Sequence, residues 1–80
     1  MIKYLKYNNG FEKYCLEIGR TNTIDVTEYC TLGDNEVVCG GFTFKVKRDD
    51  KPKFKNCTTA EEFEELFHSY GYDVVNKIDY

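Results

Sequence analysis

The sequence predicts an α+β domain: a four- to five-stranded antiparallel sheet, built as a β-meander, then a helix and a returning strand, with one amphipathic helix packed on it. Three observations lead to this class. Apolar and polar residues alternate over much of residues 2–48. Turns rich in glycine and asparagine divide that stretch into short segments. Residues 58–71 carry apolar side chains at helical spacing. We expect one domain over residues 1–80.

The first two predicted strands, residues 2–8 and 11–20, form a hairpin. Asn9-Gly10 between them is a strong signal for a two-residue type I′ turn, because such a turn needs positive φ at both central positions. One face of the second strand carries the apolar side chains of Tyr14, Leu16 and Ile18. A turn over residues 19–22 leads to the next strand.

The third and fourth predicted strands cover residues 23–30 and 36–48, with a turn at Gly33-Asp34-Asn35 between them. Gly40-Gly41 falls inside the fourth strand. Glycine at such a position marks a bulge or a close approach of another backbone. We therefore expect the sheet to bend at this point. Residues 49–52 read as a loop, and residues 53–57 as a short edge segment.

The helix is the clearest local signal in the chain. Thr58 and Thr59 each precede a glutamate by three residues, the spacing of a capping box. Gly71 suits the left-handed position after the helix. The predicted apolar stripe consists of Ala60, Phe63, Leu66, Phe67 and Tyr70. Residues 72–80 alternate again and read as the final strand.

The cysteines are interpreted through the expected compartment. No apolar run approaches the roughly 18–20 residues of a membrane span, and Lys6 interrupts any signal-peptide-like stretch near the start. A cytoplasmic protein is therefore expected, and its cysteines should be free thiols. Disulfides or a metal site are the alternatives, although separations of 15, 9 and 18 positions lack the paired spacing of zinc ligands. The four residues are Cys15, Cys30, Cys39 and Cys57.

Catalytic motifs do not emerge from the sequence. The chain has one histidine, His68, and no phosphate-binding loop or recognisable nucleophile–base pair. We therefore predict a protein that is not an enzyme and that uses no metal and no cofactor. Surfaces are then the parts of the molecule expected to act.

Charge is unevenly distributed along the chain. Six cations and two aspartates give residues 45–55 a net charge of +4. The other residues carry −7, which makes the total −3. We interpret this segment as an exposed hairpin. One alternative function is nucleic-acid binding, with Phe44 or Phe54 available for stacking. The other is that of an intracellular thiol or metal protein. The cations are Lys45, Lys47, Arg48, Lys51, Lys53 and Lys55.

The helix concentrates negative charge. Its glutamates can imitate a row of phosphates and occupy a basic groove on a protein partner, with tyrosines as anchors. Alternatively, the glutamates are the ordinary polar face of an amphipathic helix. The predicted partner-binding residues are Glu61, Glu62, Glu64, Glu65, Tyr72 and Asp73.

Several features together resemble the small anti-CRISPR proteins of phages and mobile elements. They are a Met-Ile-Lys-Tyr-Leu start inside a strand, a short meander, a Thr-Thr-Ala-Glu-Glu-Phe helix entry, many Tyr and Asn residues and an acidic helix. The resemblance implies a stoichiometric inhibitor that binds a host CRISPR nuclease complex. That group shares no single fold, so no functional residue is carried over. An exposed edge strand can also pair two copies into a homodimer, which the sequence leaves open.

Overall fold

The computed structural model describes residues 1–68 with their side chains and residues 74–79 as a backbone strand. The strands are β1 (Ile2–Lys6), β2 (Glu12–Ile18), β3 (Thr23–Leu32), β4 (Asn35–Lys45) and β5 (Val74–Asp79). The helices are α1 (Lys51–Asn56) and α2 (Ala60–His68).

The strands form one antiparallel sheet in the order β1-β2-β3-β4-β5. Each strand therefore pairs with its neighbours in sequence, and both helices lie in the connection between β4 and β5. The α+β class and the antiparallel meander are confirmed. The prediction of a single helix is wrong, because residues 51–56 form a second helix, α1.

Two turns depend on glycine. The first hairpin closes through a three-residue turn over residues 8–10, in which the Tyr7 amide donates to the Phe11 carbonyl at 2.8 Å. Gly10 has φ of 92°, whereas none of the other described residues except Gly33 has positive φ. The predicted type I′ turn is therefore wrong: a type I turn followed by a left-handed glycine suits three-residue hairpins.

The glycine pair in β4 adjoins a bulge. Glu28 pairs with Gly40 and Tyr29 with Val38, so Cys39 is the extra residue of β4. Gly41 lies against the backbone of β3, where an added Cβ would be 2.9 Å from the Val26 carbonyl oxygen. Both features expected of glycine within a strand, a bulge and a close backbone approach, are confirmed.

Helix α1 replaces the edge segment predicted at residues 53–57. Pro52 lies in its first turn, where the missing amide is not needed. The Phe54 side chain is fully buried, so this short helix is attached to the core by one ring. The basic stretch is consequently a strand end, a turn and a helix, and the predicted 45–55 hairpin is wrong.

Helix α2 begins where the capping pattern predicted. The Thr59 hydroxyl accepts a hydrogen bond from the Glu62 amide at 3.1 Å, which makes Thr59 the N-cap. The amide and hydroxyl of Thr58 donate in turn to the Glu62 carboxylate, at 3.2 and 3.0 Å. Tyr70 and Gly71, assigned to the end of the helix, lie outside the described residues.

The core is one apolar layer between the sheet and the two helices. Phe44 is at its centre, with ring centroids 5.3 Å from Phe54 of α1 and 4.9 Å from Phe67 of α2. Phe63 packs 4.8 Å from Tyr14, which joins α2 to β2. The buried strand residues of this layer include Leu5, Tyr14, Leu16, Ile18, Ile24, Val26 and Phe44.

Replacing the central ring should be costly. We expect Phe44→Ala to lower the free energy of unfolding by about 3–5 kcal/mol, because the ring contacts both helices. Urea denaturation followed by circular dichroism measures the loss. The matched control is Phe11→Ala, since Phe11 is 53% exposed. Equal losses for the two variants would contradict the central position of Phe44.

Candidate protein-interaction surface

Helix α2 is attached to the first hairpin through its carboxylates. Glu64 accepts hydrogen bonds from the hydroxyls of Tyr14 at 2.8 Å and Tyr7 at 3.0 Å. Glu61 accepts the backbone amide of Asn8 at 3.0 Å. Burial, together with the hydrogen bond to Glu64, raises the pKa values of both tyrosines. These bonds fix the position of the helix on β1 and β2.

Three of the four helix glutamates therefore already form hydrogen bonds within the fold. Glu61 and Glu64 bind the hairpin, and Glu62 caps its own helix. Glu65 is exposed and has no hydrogen-bond or ion-pair partner within the described part of the chain. Tyr72 and Asp73, the other two predicted contacts, lie outside the described residues. The positions of the glutamates in the sequence predict that they face solvent. They do not predict these hydrogen-bond partners within the fold.

The six predicted cations do not form one row. The Lys51 ammonium donates to the carbonyls of Gly19 and Thr21, which holds α1 against the turn between β2 and β3. Lys53 forms an ion pair with Asp50 at 3.2 Å. The remaining cations, Lys45, Lys47, Arg48 and Lys55, are exposed.

The rings proposed for stacking on nucleic-acid bases are inaccessible. Phe44 and Phe54 are both 0% exposed and pack against each other in the core. A base can stack only on a ring whose face reaches solvent. The prediction that these two phenylalanines are available for nucleic-acid binding is therefore wrong.

Neither of the described helices packs on the other side of the sheet, which we call the outer face. Side chains alternate across a strand, so the neighbours of buried residues in β1 to β3 point outward. Register aligns Tyr4, Cys15 and Thr27 across three strands on this face. The exposed apolar and aromatic side chains there are Ile2, Tyr4 and Val38, at 62%, 59% and 45% exposure.

Tyr29 lies on the outer face two residues beyond Thr27, where the pairing of β2 with β3 has ended. Burial raises its pKa, and the nearby Cys15, Tyr4, Glu12 and Glu36 raise it further. Burial likewise raises the pKa of the Cys15 thiol, although a hydrogen bond from Tyr4 opposes the shift. Two tyrosines and a thiol thus form a contiguous cluster within an exposed sheet surface.

Carboxylates surround this cluster. Glu17 and Asp25 are paired in register on the outer face, and Asp25 accepts the Thr43 hydroxyl at 2.6 Å. Glu12 and Glu36 lie close enough to interact: partial burial and the hydrogen bond and charge of Glu36 raise the pKa of Glu12. These four carboxylates outnumber Lys6 and Lys45, which register places on the same face. The outer face is therefore both tyrosine-containing and acidic, a combination that the sequence predicts for the helix.

A disulfide joins Cys30 of β3 to Cys39 of β4, with Cα atoms 5.7 Å apart. The prediction of free thiols is wrong for this pair: Cys30 pairs with Val37, and Cys39 lies two residues farther along β4, within bonding reach of Cys30. Cys15 and Cys57 are free. Cys57 is buried, its thiol donating to the Phe54 carbonyl at 3.1 Å, and burial raises its pKa.

A shallow pocket of about 360 Å³ lies between the two helices, lined by Lys53, Asn56, Cys57, Glu62, Glu65 and Leu66. The described residues contain no group of three or more acidic, histidine or cysteine side chains placed to hold a metal ion. Neither described helix has the length and apolar composition needed to cross a membrane. Comparison with protein-family models, curated proteins and solved structures gives no match to this chain.

Removing the hydroxyl that binds Glu64 should loosen α2. We expect Tyr14→Phe to lower the free energy of unfolding by about 1 kcal/mol, the net value of one hydrogen bond. Tyr29→Phe is the control, because Tyr29 points to the outer face, away from the helix carboxylates. Chemical denaturation of both variants gives the comparison. If Tyr29→Phe costs as much as Tyr14→Phe, the Glu64 bond does not stabilise the helix.

The two outer-face carboxylates should make stability depend on pH. Folding raises the pKa of Glu12, so the folded chain binds more protons than the unfolded chain, and stability falls as pH rises through that window. We expect Glu12→Gln to be more stable than the wild type at about pH 7, with the gain shrinking toward the ordinary glutamate pKa of about 4.3. Urea unfolding across this range tests it. A gain that does not vary with pH would contradict the interaction, and Glu65→Gln serves as the control.

Proposed function

We propose that this chain is a non-enzymatic protein-binding domain that acts by stoichiometric binding through its outer face. The observation that supports this is the cluster of Tyr4 and Tyr29 left uncovered on the sheet. Tyrosine is enriched at protein interfaces because its ring buries a large area at a small entropic cost. With Ile2 and Val38 beside them, these rings form the kind of apolar centre that binding hot spots occupy.

The partner we propose is a protein with a basic surface, specifically a host CRISPR nuclease complex. The carboxylates of Glu12, Glu17, Asp25 and Glu36 around the tyrosine cluster favour a positively charged partner. Proteins that hold nucleic acid present such surfaces, since they neutralise phosphates with lysine and arginine. Binding there would exclude the nucleic acid, which is the mode of action that the anti-CRISPR resemblance implies.

The acidic helix remains a prediction and is the competing surface. Reversing all four of its glutamates would break the bonds to Tyr7, Tyr14, Asn8 and Thr58 and thereby disturb the fold. Glu65→Lys is the cleaner variant, because Glu65 is exposed and has no partner among the described residues. A loss of binding in this variant alone would indicate the helix.

Binding and inhibition can be measured together. We expect the wild type to inhibit cleavage by a purified RNA-guided CRISPR nuclease complex at a one-to-one ratio. Tyr4→Ala should weaken binding by about 30-fold, which corresponds to the roughly 2 kcal/mol of a hot-spot residue. Isothermal titration calorimetry measures the affinity.

Two controls make this experiment decisive. Lys47→Ala changes an exposed residue of the basic segment and should leave the affinity unchanged. A mobility-shift assay at low salt tests the alternative of direct nucleic-acid binding, and a shift below about 10 µM would support it. Inhibition that survives Tyr4→Ala but is lost in Glu65→Lys would overturn the assignment to the outer face.

A further inference from the structure

The ends of β3 and β4 form a two-stranded ribbon, residues 29–38. Pairing of β2 with β3 ends at Tyr14 and Glu28, and pairing of β5 with β4 begins at Gly40. Within the described part of the chain, the strands of the ribbon therefore pair only with each other, from Tyr29–Val38 to Leu32–Asn35. The ribbon lies outside the apolar layer that stabilises the remainder of the sheet.

A ribbon of two strands is marginally stable in water. The Cys30–Cys39 disulfide lies at its base, directly beside the bulge. A cross-link at this position limits the conformations that the ribbon can adopt when its hydrogen bonds open. The disulfide thus restricts the ribbon, which has no neighbouring strand on either side among the described residues.

The surface of the ribbon is apolar and acidic. Leu32, Val37 and Val38 are 71%, 39% and 45% exposed. Residues 29–38 also contain Asp34 and Glu36 and no lysine, arginine or histidine. Exposed apolar side chains on a negatively charged segment complement an apolar cleft with a basic rim. Tyr29 and Val38 continue the outer face onto the ribbon, whereas Leu32 and Val37 lie on its opposite side. A cleft that accepts the ribbon would therefore contact both of its sides.

We propose that the disulfide-closed ribbon is the segment that inserts into an apolar, basic-rimmed cleft of the protein partner, and that reducing the Cys30–Cys39 bond releases that partner. The proposal rests on the proposed function, since it names the element of the same surface that enters the partner. It also adds a condition to binding, namely the oxidised state of one cysteine pair.

The chemistry of the switch is thiol–disulfide exchange. A thiolate of a dithiol reductant attacks one sulfur of the pair and forms a mixed disulfide, releasing the other cysteine as a thiolate. The second thiol of the reductant then displaces the remaining cysteine. Two electrons and two protons pass to the cysteines, and the reductant becomes a disulfide. A low-molecular-weight disulfide such as oxidised glutathione reverses the reaction.

Reduction weakens binding by lowering the fraction of chains with an ordered ribbon. The apparent dissociation constant equals the intrinsic one divided by the binding-competent fraction. A tenfold fall in that fraction therefore gives a tenfold loss of affinity. The core, which the disulfide does not cross, should remain folded.

The first measurement needs no partner. Amide hydrogen exchange of the oxidised wild type is compared with that of the Cys30→Ser/Cys39→Ser variant. We expect exchange within residues 31–37 to accelerate at least about tenfold, while β2 amides keep their protection. Unchanged exchange in the ribbon would overturn the proposed role of the disulfide. Loss of protection throughout the sheet would overturn it equally, by showing a global effect.

The second measurement uses the purified CRISPR nuclease complex in non-reducing buffer. The double-serine variant and Leu32→Ser should each bind at least about tenfold more weakly than the oxidised wild type. Wild type that has been reduced and then reoxidised should recover full affinity. If these variants bind like the wild type while Tyr4→Ala does not, the ribbon proposal fails and the outer face remains. If the oxidised wild type itself does not bind, the proposed function fails, and the ribbon proposal with it.

Discussion

The structure depends on one apolar layer, and within it on the contacts of Phe44. Its ring touches Phe54 of α1 and Phe67 of α2, so the same side chain attaches both helices to the sheet. A chain of 80 residues can bury only a limited apolar area. It does so on one side of the sheet, and no element of the described residues covers the opposite side.

This asymmetry gives the same residue types different roles on the two sides. Tyr14 faces the helix, where its hydroxyl completes the bonding of Glu64 and holds α2 in position. Tyr4 and Tyr29 face outward, where neither described helix covers them, and the nearby Glu12 and Glu36 act on Tyr29. Acidic and aromatic residues therefore stabilise the fold on one face and remain available to a partner on the other.

Features that depend on nearby residues could be predicted from the sequence, whereas features that depend on distant contacts could not. The strands and the Thr59 cap follow from patterns a few residues long. Pro52 is also a local helix signal, but the sequence predicted a loop over residues 49–52 and an edge segment over residues 53–57 where α1 lies. The partners of Glu64 lie 50 or more positions away, and the disulfide depends on the register between β3 and β4. Neither is specified by nearby residues.

The bulge and the disulfide together also determine which side chains lie on each side of the ribbon. In a strand, a shift of pairing by one residue exchanges the two faces, so a ribbon free to slide would present Val37 and Val38 alternately on either side. The covalent bond between Cys30 and Cys39 permits one alignment. The chain thereby presents a single arrangement of Tyr29 opposite Val38, and a partner meets one surface rather than an average of two.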